Sequence, residues 1–170
     1  VIEGKEMYEK ASAYMKQILP NQAKKIKEYK NDKMPIMDFY DLEKKINSIY
    51  DSKVLLKSGG YLVINPTEAL TSIDINSGRS TKEIDVERTA LATNLEAADE
   101  VVRQIKVRDL AGLIIIDFID MFNFNNRRTV EKALRDNFKN DRAKIQFGRI
   151  SNFGLLEMSR QRLRESSVQW

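Results

Sequence analysis

The run Gly112–Phe118, GLIIIDF, limits the possible folds more than any other segment of the chain. Leu113, Ile114, Ile115 and Ile116 are continuously apolar. A run this short and unbroken reads as a central strand covered on both faces. Ahead of it, Ser80-Thr81-Lys82-Glu83 fits a capping box that opens a helix reaching about Val107. Leu91, Leu95, Ala98, Val102 and Ile105 fall at helical spacing and form the expected buried stripe. EALTSIDIN, before the helix, alternates in the manner of a strand. Strand, helix and strand in this order predict an α/β fold, a mixed β-sheet flanked by helices.

The flanking segments extend this pattern. KVLL, then Ser58-Gly59-Gly60, then YLVIN predicts a β-hairpin with a glycine turn, and Pro66-Thr67 makes a corner. After the central run come a helix from about Asn126 to Asn140, the strand KIQFGRI and a last extended piece near LLEMS. The first fifty residues are lysine-rich and helical in pattern, divided by Pro20 and Pro35. Within them, DFYDLEKKINSIY predicts one helix over 38–50, capped by Asp38, with Phe39, Leu42, Ile46 and Ile49 as a packing face. The period changes near residues 50–55. The expected organisation is therefore a helical N-terminal segment, 1–53, followed by an α/β domain, 54–170.

Composition excludes several chemistries. The chain has neither cysteine nor histidine, so disulfides, thiolate zinc sites, cysteine nucleophiles and imidazole bases are all ruled out. Hydrolytic chemistry would rest on carboxylates, lysine, hydroxyls or a hard metal ion, and oxygen ligands select magnesium or manganese. No apolar run approaches the 18 or so residues of a membrane span. VIEGKEMYEK does not read as a signal peptide, so the expected location is the cytoplasm. Residues 81–120 carry five basic and nine acidic side chains, and residues 121–170 carry eleven and five. Such an asymmetry suits a polyanion held beside a metal centre, although charge scatter over a solvated surface is the plainer reading.

The carboxylates at two strand ends carry the functional reading. Residues two apart on a strand share a face, so Ser72, Asp74 and Asn76 point one way and Ile73 and Ile75 the other. Asp117 closes the second strand, where ligand sites in α/β sheets gather. Were the two strands neighbours, about 5 Å apart, both carboxylates could share one ion. Asn76 is neutral and could orient Asp74 or a phosphate. An aspartate closing a strand also serves as a helix cap or turn former, the reading that suits Asp120, and pattern alone does not choose.

GGYLVINPTEALTSIDINSGRSTKEIDVERTALATNLEAADEVVRQIKVRDLAGLIIIDFIDM, together with NDRAKIQFGRISNFGLLEMSRQRLRESS, strongly resembles the catalytic core of the ribonuclease E/G family. The resemblance is close over about residues 54–167 and looser over 1–53. It implies a bacterial or plastid endoribonuclease that cuts single-stranded, often A/U-rich RNA with a magnesium-activated water, leaving a 5′-phosphate and a 3′-hydroxyl. It places the family's metal-binding aspartates on Asp74 and Asp117 and its assisting asparagine on Asn76. It also implies a deoxyribonuclease-I-like subdomain from about residue 54, preceded by the trailing part of a ribonuclease-H-like subdomain.

Lys144 falls where the family carries a basic RNA-contacting residue. Arg79, just past the metal motif, could reach phosphate, while Arg127 and Arg128 read as solvated helix charges. The family's upstream oligonucleotide-binding barrel and 5′-monophosphate sensor are expected to be missing here, apart from a remnant of the sensor's end, and so are the cysteines that share zinc between subunits. The chain therefore reads as a fragment, with no zinc site and with homo-oligomerisation left to the full-length enzyme. A non-catalytic RNA-binding or scaffold module of the same fold is the alternative expectation.

Overall fold

Proline and a left-handed aspartate shape the first fifty residues. The structure, a computed structural model, describes residues 1–78 and 86–163, and the chain divides into two units, Val1–Tyr50 and Asp51–Trp170. In the first unit, β1 (Ile2–Glu3) precedes α1 (Lys5–Ile18), which ends just before Pro20 opens a 3₁₀ turn, Pro20–Lys25. β2 (Glu28–Tyr29) pairs parallel with β1. α2 (Ile36–Phe39) follows Pro35, and α3 (Leu42–Asn47) runs into a 3₁₀ turn at Ser48–Tyr50.

The single helix expected over 38–50 is thus two short ones. Asp41 adopts φ 51°, a left-handed conformation that aspartate tolerates and a continuing helix does not, so the helix breaks between Phe39 and Leu42. Asp38 lies inside the first turn of α2 rather than capping it. The expected packing face does not form either: Phe39 is 52% exposed, and none of α1, α2 and α3 contains a buried residue.

The second unit is a mixed sheet with helices. Its strands are β3 (Lys53–Leu55), β4 (Tyr61–Pro66), β5 (Thr71–Asn76), β6 (Gly112–Asp117), β7 (Ile145–Phe147) and β8 (Leu155–Arg160). They lie in the order β3-β4-β5-β6-β8-β7. The glycine-turn hairpin forms as expected between β3 and β4, with Leu56 and Gly60 closing the loop. β5 and β6 are parallel and joined by α4 (Val86–Val107), while the other neighbours are antiparallel. α5 (Phe124–Asn137) begins at Asn123, whose side chain caps it by accepting from the Asn125 N–H. The capping box at Ser80–Glu83 and Arg79 lie outside the described residues.

Burial alternates along every central strand. Leu62 and Ile64, Ile73 and Ile75, Ile114 and Ile116, and Leu156 and Met158 form one continuous apolar face. Val130 and Leu134 of α5, with Val101 and Ile105 of α4, close it from above. At about 25 cal/mol per Å² this face is the main apolar stabilisation of the unit.

Two expectations change here. Ala98, Val102 and Ile105 of the expected α4 stripe are buried, but Ala90, Ala97 and Val101 complete the buried line, and Leu91 and Leu95 are only partly buried at its edge. Small side chains let the helix approach, which rotates the stripe away from the larger leucines. The central strand, moreover, is covered on one face only. Leu113 is 43% exposed and Ile115 half-buried, so among the described residues the opposite face of β6 stays open. That open face carries Asp74 and Asp117.

Candidate metal and phosphodiester site

Strand periodicity and register build this site together. Asp74 sits between Ile73 and Ile75, which are buried, so its own side chain faces the open side. Asp117 follows Ile116, also buried, and points the same way. The parallel register sets Asp74 opposite Asp117, on strands about 5 Å apart. Two residues of distant sequence therefore meet at the carboxyl ends of the two parallel strands, where such sheets place ligands. Asn76 completes the row, its Nδ2 donating to Asp74 Oδ2 over 2.8 Å.

The electrostatics of the pair are unbalanced. Partial burial raises the Asp117 carboxyl above its ordinary range, and the neighbouring charges of Asp74 and then Asp120 push it further. Like charges gathered on hard oxygen donors are what a divalent cation relieves. Asp74 and Asp117 are suited to hold such an ion, and a hard ion such as magnesium suits carboxylate oxygens. Among the described residues no cluster of three or more acidic, histidine or cysteine side chains has metal-binding geometry. A cation here would keep much of its water, which is how magnesium is commonly held.

Three further residues hold the backbone around the pair. Asn94, fully buried in α4, accepts from the Ile119 N–H at 3.0 Å and donates to the Ile119 carbonyl at 2.8 Å. Glu87 accepts from the Phe122 and Asn123 N–H groups and from Asn126 Nδ2. Those bonds, the one from Phe122 foremost, hold its carboxyl below the usual range. Glu96 accepts from the Lys57 N–H at 2.7 Å and so fixes the turn beside β5. Sequence reasoning missed all three, because a polar residue on a helix reads as solvent-facing. The string TNLEAADE, rich in small residues around Asn94, was the available signal.

Gly154 packs closely beside the pair. Its φ is 77°, its carbonyl accepts from the Phe118 N–H, and a Cβ there would lie 2.7 Å from the Phe118 oxygen and 3.3 Å from Asp120 Oδ1. Gly154→Ala is therefore expected to destabilise the fold by about 2 kcal/mol or more, combining left-handed strain with a backbone clash. Urea unfolding measures it, and a loss under 0.5 kcal/mol would show that the loop can move aside.

The basic residues disperse. Lys144 precedes β7, and its carbonyl accepts from the Gln161 N–H, next to Arg160, which pairs with Gly112. Gly112 and Asp117 are the two ends of β6, about 16 Å apart at strand rise, so Lys144 lies at the other end of the sheet from the carboxylate pair. Arg127 is not the solvated charge expected from its position. It is half-buried and donates to the Ser151 carbonyl at 3.3 Å and Asn152 Oδ1 at 3.1 Å. Arg128 is exposed, 4.9 Å over the Phe124 ring.

The chain is similar in sequence to known proteins. The model of the ribonuclease E/G family matches residues 1–163. Ribonuclease E of Haemophilus influenzae is 51% identical over 166 residues, which is 98% of this chain and 18% of that protein. Ribonuclease E of Escherichia coli K12 is 54% identical over 147 residues, 86% of this chain and 14% of that protein. Ribonuclease G of Salmonella typhimurium is 40% identical over 165 residues, 97% of this chain and 34% of that protein. The chain thus spans less than a fifth of these ribonuclease E proteins and about a third of the ribonuclease G.

Proposed function

The chain belongs to the ribonuclease E/G family, and from that membership we propose that it is a magnesium-dependent endoribonuclease core acting on single-stranded RNA. The observation that supports the reading most is the register of Asp74 against Asp117 on the open face of the sheet. The products are a 5′-phosphate and a 3′-hydroxyl, and the setting is RNA processing and decay in the cytoplasm. No described helix is long and apolar enough to cross a membrane.

The chain's own residues would work as follows. Asp74 and Asp117 hold the cation, with manganese able to replace magnesium. Asn76, bonded to Asp74 Oδ2, keeps that carboxylate turned toward its partner. When bound, the ion neutralises the phosphodiester and lowers the pKa of an attacking water. Asp120, whose charge acts on Asp117, sharpens the local demand for a cation. Lys144, at the far end of the sheet, would serve only as a distant phosphate contact that adds affinity without reading sequence. Arg79 is a second candidate for phosphate contact.

The decisive experiment incubates this chain and its Asp74→Asn variant with a 5′-monophosphorylated single-stranded A/U-rich RNA and magnesium. Cleavage by the wild type alone, leaving 5′-phosphate ends, is the expected result. Magnesium should also raise the melting temperature of the wild type but not of Asp74→Asn, because a ligand selective for the native state stabilises it. Equal shifts in both would remove Asp74 from the metal site. The second reading, a non-catalytic RNA-binding or scaffold module, draws on the small share of the relatives that the chain spans. RNA binding without cleavage by either protein would select it.

A further inference from the structure

The two most exposed large apolar side chains among the described residues are Phe122, at 89%, and Phe153, at 82%. Each flanks a segment that lies beside Asp117, Phe122 following Asp120 by two residues and Phe153 preceding Gly154. Phe122 lines a cleft together with Asp120, Arg127 and Gly154. Phe153 immediately precedes Gly154, whose backbone lies against Asp117 and Asp120. Neither ring belongs to the core. Leaving an aromatic ring in water has no structural return, and exposed apolar patches mark interaction surfaces.

Their backbones, by contrast, are tied down. The Phe122 N–H donates to Glu87 at 2.9 Å, and the Phe153 N–H donates to Ser151 Oγ at 3.2 Å. Ser151 Oγ also accepts from the Leu155 N–H, and Arg127 holds the same loop through Ser151 and Asn152. Two phenyl rings are thus presented to solvent from fixed backbones, a preorganised arrangement.

The cleft decides what they can receive. It measures about 140 Å³, room for a handful of waters at roughly 30 Å³ each or for one phosphate group, but not for a base with its sugar. The cleft adjoins the carboxylate pair through Asp120 and Gly154, so a chain whose phosphate sits at Asp74 and Asp117 would keep its bases outside the cleft, on the side of the rings. The half-buried guanidinium of Arg127 in the cleft wall and the exposed Arg128 nearby supply positive charge for the backbone. A cationic track beside open aromatic faces is how single strands are gripped without regard to sequence, since every base has a π-face. In a duplex those faces are already stacked.

We propose that Phe122 and Phe153 are base-stacking platforms for the unpaired nucleotides next to the phosphodiester held at Asp74 and Asp117. The proposal rests on the reading of that site as one that acts on RNA, and it adds the residues that make the site prefer single strands. It also assigns the two rings a role in positioning substrate rather than in chemistry.

The test compares a fluorescein-labelled ten-nucleotide oligoadenylate with an abasic ribose-phosphate oligomer of equal length. Each is titrated with this chain in magnesium and followed by anisotropy, with oligomer integrity checked on a gel. The wild type should bind oligoadenylate at least about fivefold more tightly than the abasic strand. Phe122→Ala and Phe153→Ala should each lose most of that preference and leave abasic affinity unchanged. Phe122→Leu and Phe153→Leu, which keep apolar bulk without a ring face, should behave like the alanine variants, with wild-type circular dichroism and melting.

Equal affinity of the wild type for both oligomers would overturn the proposal, as would binding of neither or an equal loss for both in the variants. Equal affinity together with self-association that Phe153→Ala removes would assign the rings to a protein contact. The readout is binding, so it separates from catalysis. A chain that prefers bases but cleaves nothing keeps the platforms and loses the nuclease reading, and the converse loses only the platforms.

Discussion

Asp117→Asn is expected to lower RNA cleavage by at least about 100-fold while raising the melting temperature of the metal-free protein. The loss follows from removing one of two charged oxygen donors where the phosphodiester would lie, since deleting a single oriented group at a reacting centre costs on the order of 10²–10³ in rate. The gain follows from the sign of the Asp117 titration. Partial burial, with Asp74 and Asp120 beside it, raises this carboxyl in the folded chain. The native state then holds the proton more tightly than the unfolded state does. The ionised carboxylate weakens the fold at neutral pH, and the penalty is relieved as pH falls through the raised pKa.

Asparagine has the same shape and cannot ionise, so it removes the penalty at all pH values. The rise should be small, about a degree or two, because Asp117 is exposed and solvent screens it. Thermal melts in a chelator at pH 5 and pH 8 measure it, and the difference between wild type and variant should widen at the higher pH. A variant that melts lower at both would show that Asp117 supports the fold instead. Unchanged cleavage would remove it from the chemistry.

The largest stability loss should come from the opposite end of the sheet. Arg160, buried in β8, donates through Nε to Asp141 Oδ2 at 3.0 Å and through Nη1 to Asp109 Oδ1 at 2.9 Å and the Leu110 carbonyl. The Asp141 and Arg160 side chains are each only 4% exposed. Burial raises the Asp141 carboxyl, but hydrogen bonds from Arg160 and the Ala143 N–H and the Arg160 charge outweigh it and hold it below its usual range. The stability this pair contributes is present above the ordinary aspartate pKa and fades as pH falls through the lowered one.

Asp141→Ala leaves the guanidinium buried with Asp109, which is 47% exposed, as its remaining carboxylate. A loss of about 3 kcal/mol or more is expected, the usual cost of breaking a buried pair from one side. Urea unfolding at pH 7 measures it. The double variant Asp141→Leu, Arg160→Met should recover most of the loss, because two apolar groups need no partner. A double variant no better than the single would mean that the pair also holds the segment before β7 in place. Cleavage is a useful control, since the pair lies about 16 Å along the sheet from Asp117.

What could be read in advance was local. The alternation in TSIDIN puts Asp74 and Asn76 on one face and two isoleucines on the other. The apolar run before Asp117 forms a central strand, and the hairpin glycines turn where they should. What failed also failed locally, through a competing rule. Asp41 in the left-handed region splits a helix that spacing alone would have continued. Alanines bring α4 onto the sheet along a line that larger leucines had obscured. Asn94 and Glu87 look like surface residues until the Ile119 and Phe122 backbones they hold are placed beside them.

By itself, the sequence determined the strand faces, the absence of imidazole and thiol chemistry, and the family likeness, because side-chain type and a period of two are properties of neighbouring residues. The tertiary structure alone decided that β5 lies parallel to β6 with Asp74 opposite Asp117, that one face of the sheet stays open, and that Lys144 stands apart from the pair. Those facts depend on which of several hydrophobic strands pair across forty or more residues of chain, including α4. That choice is made by the joint burial of all their apolar faces, and no single segment encodes it.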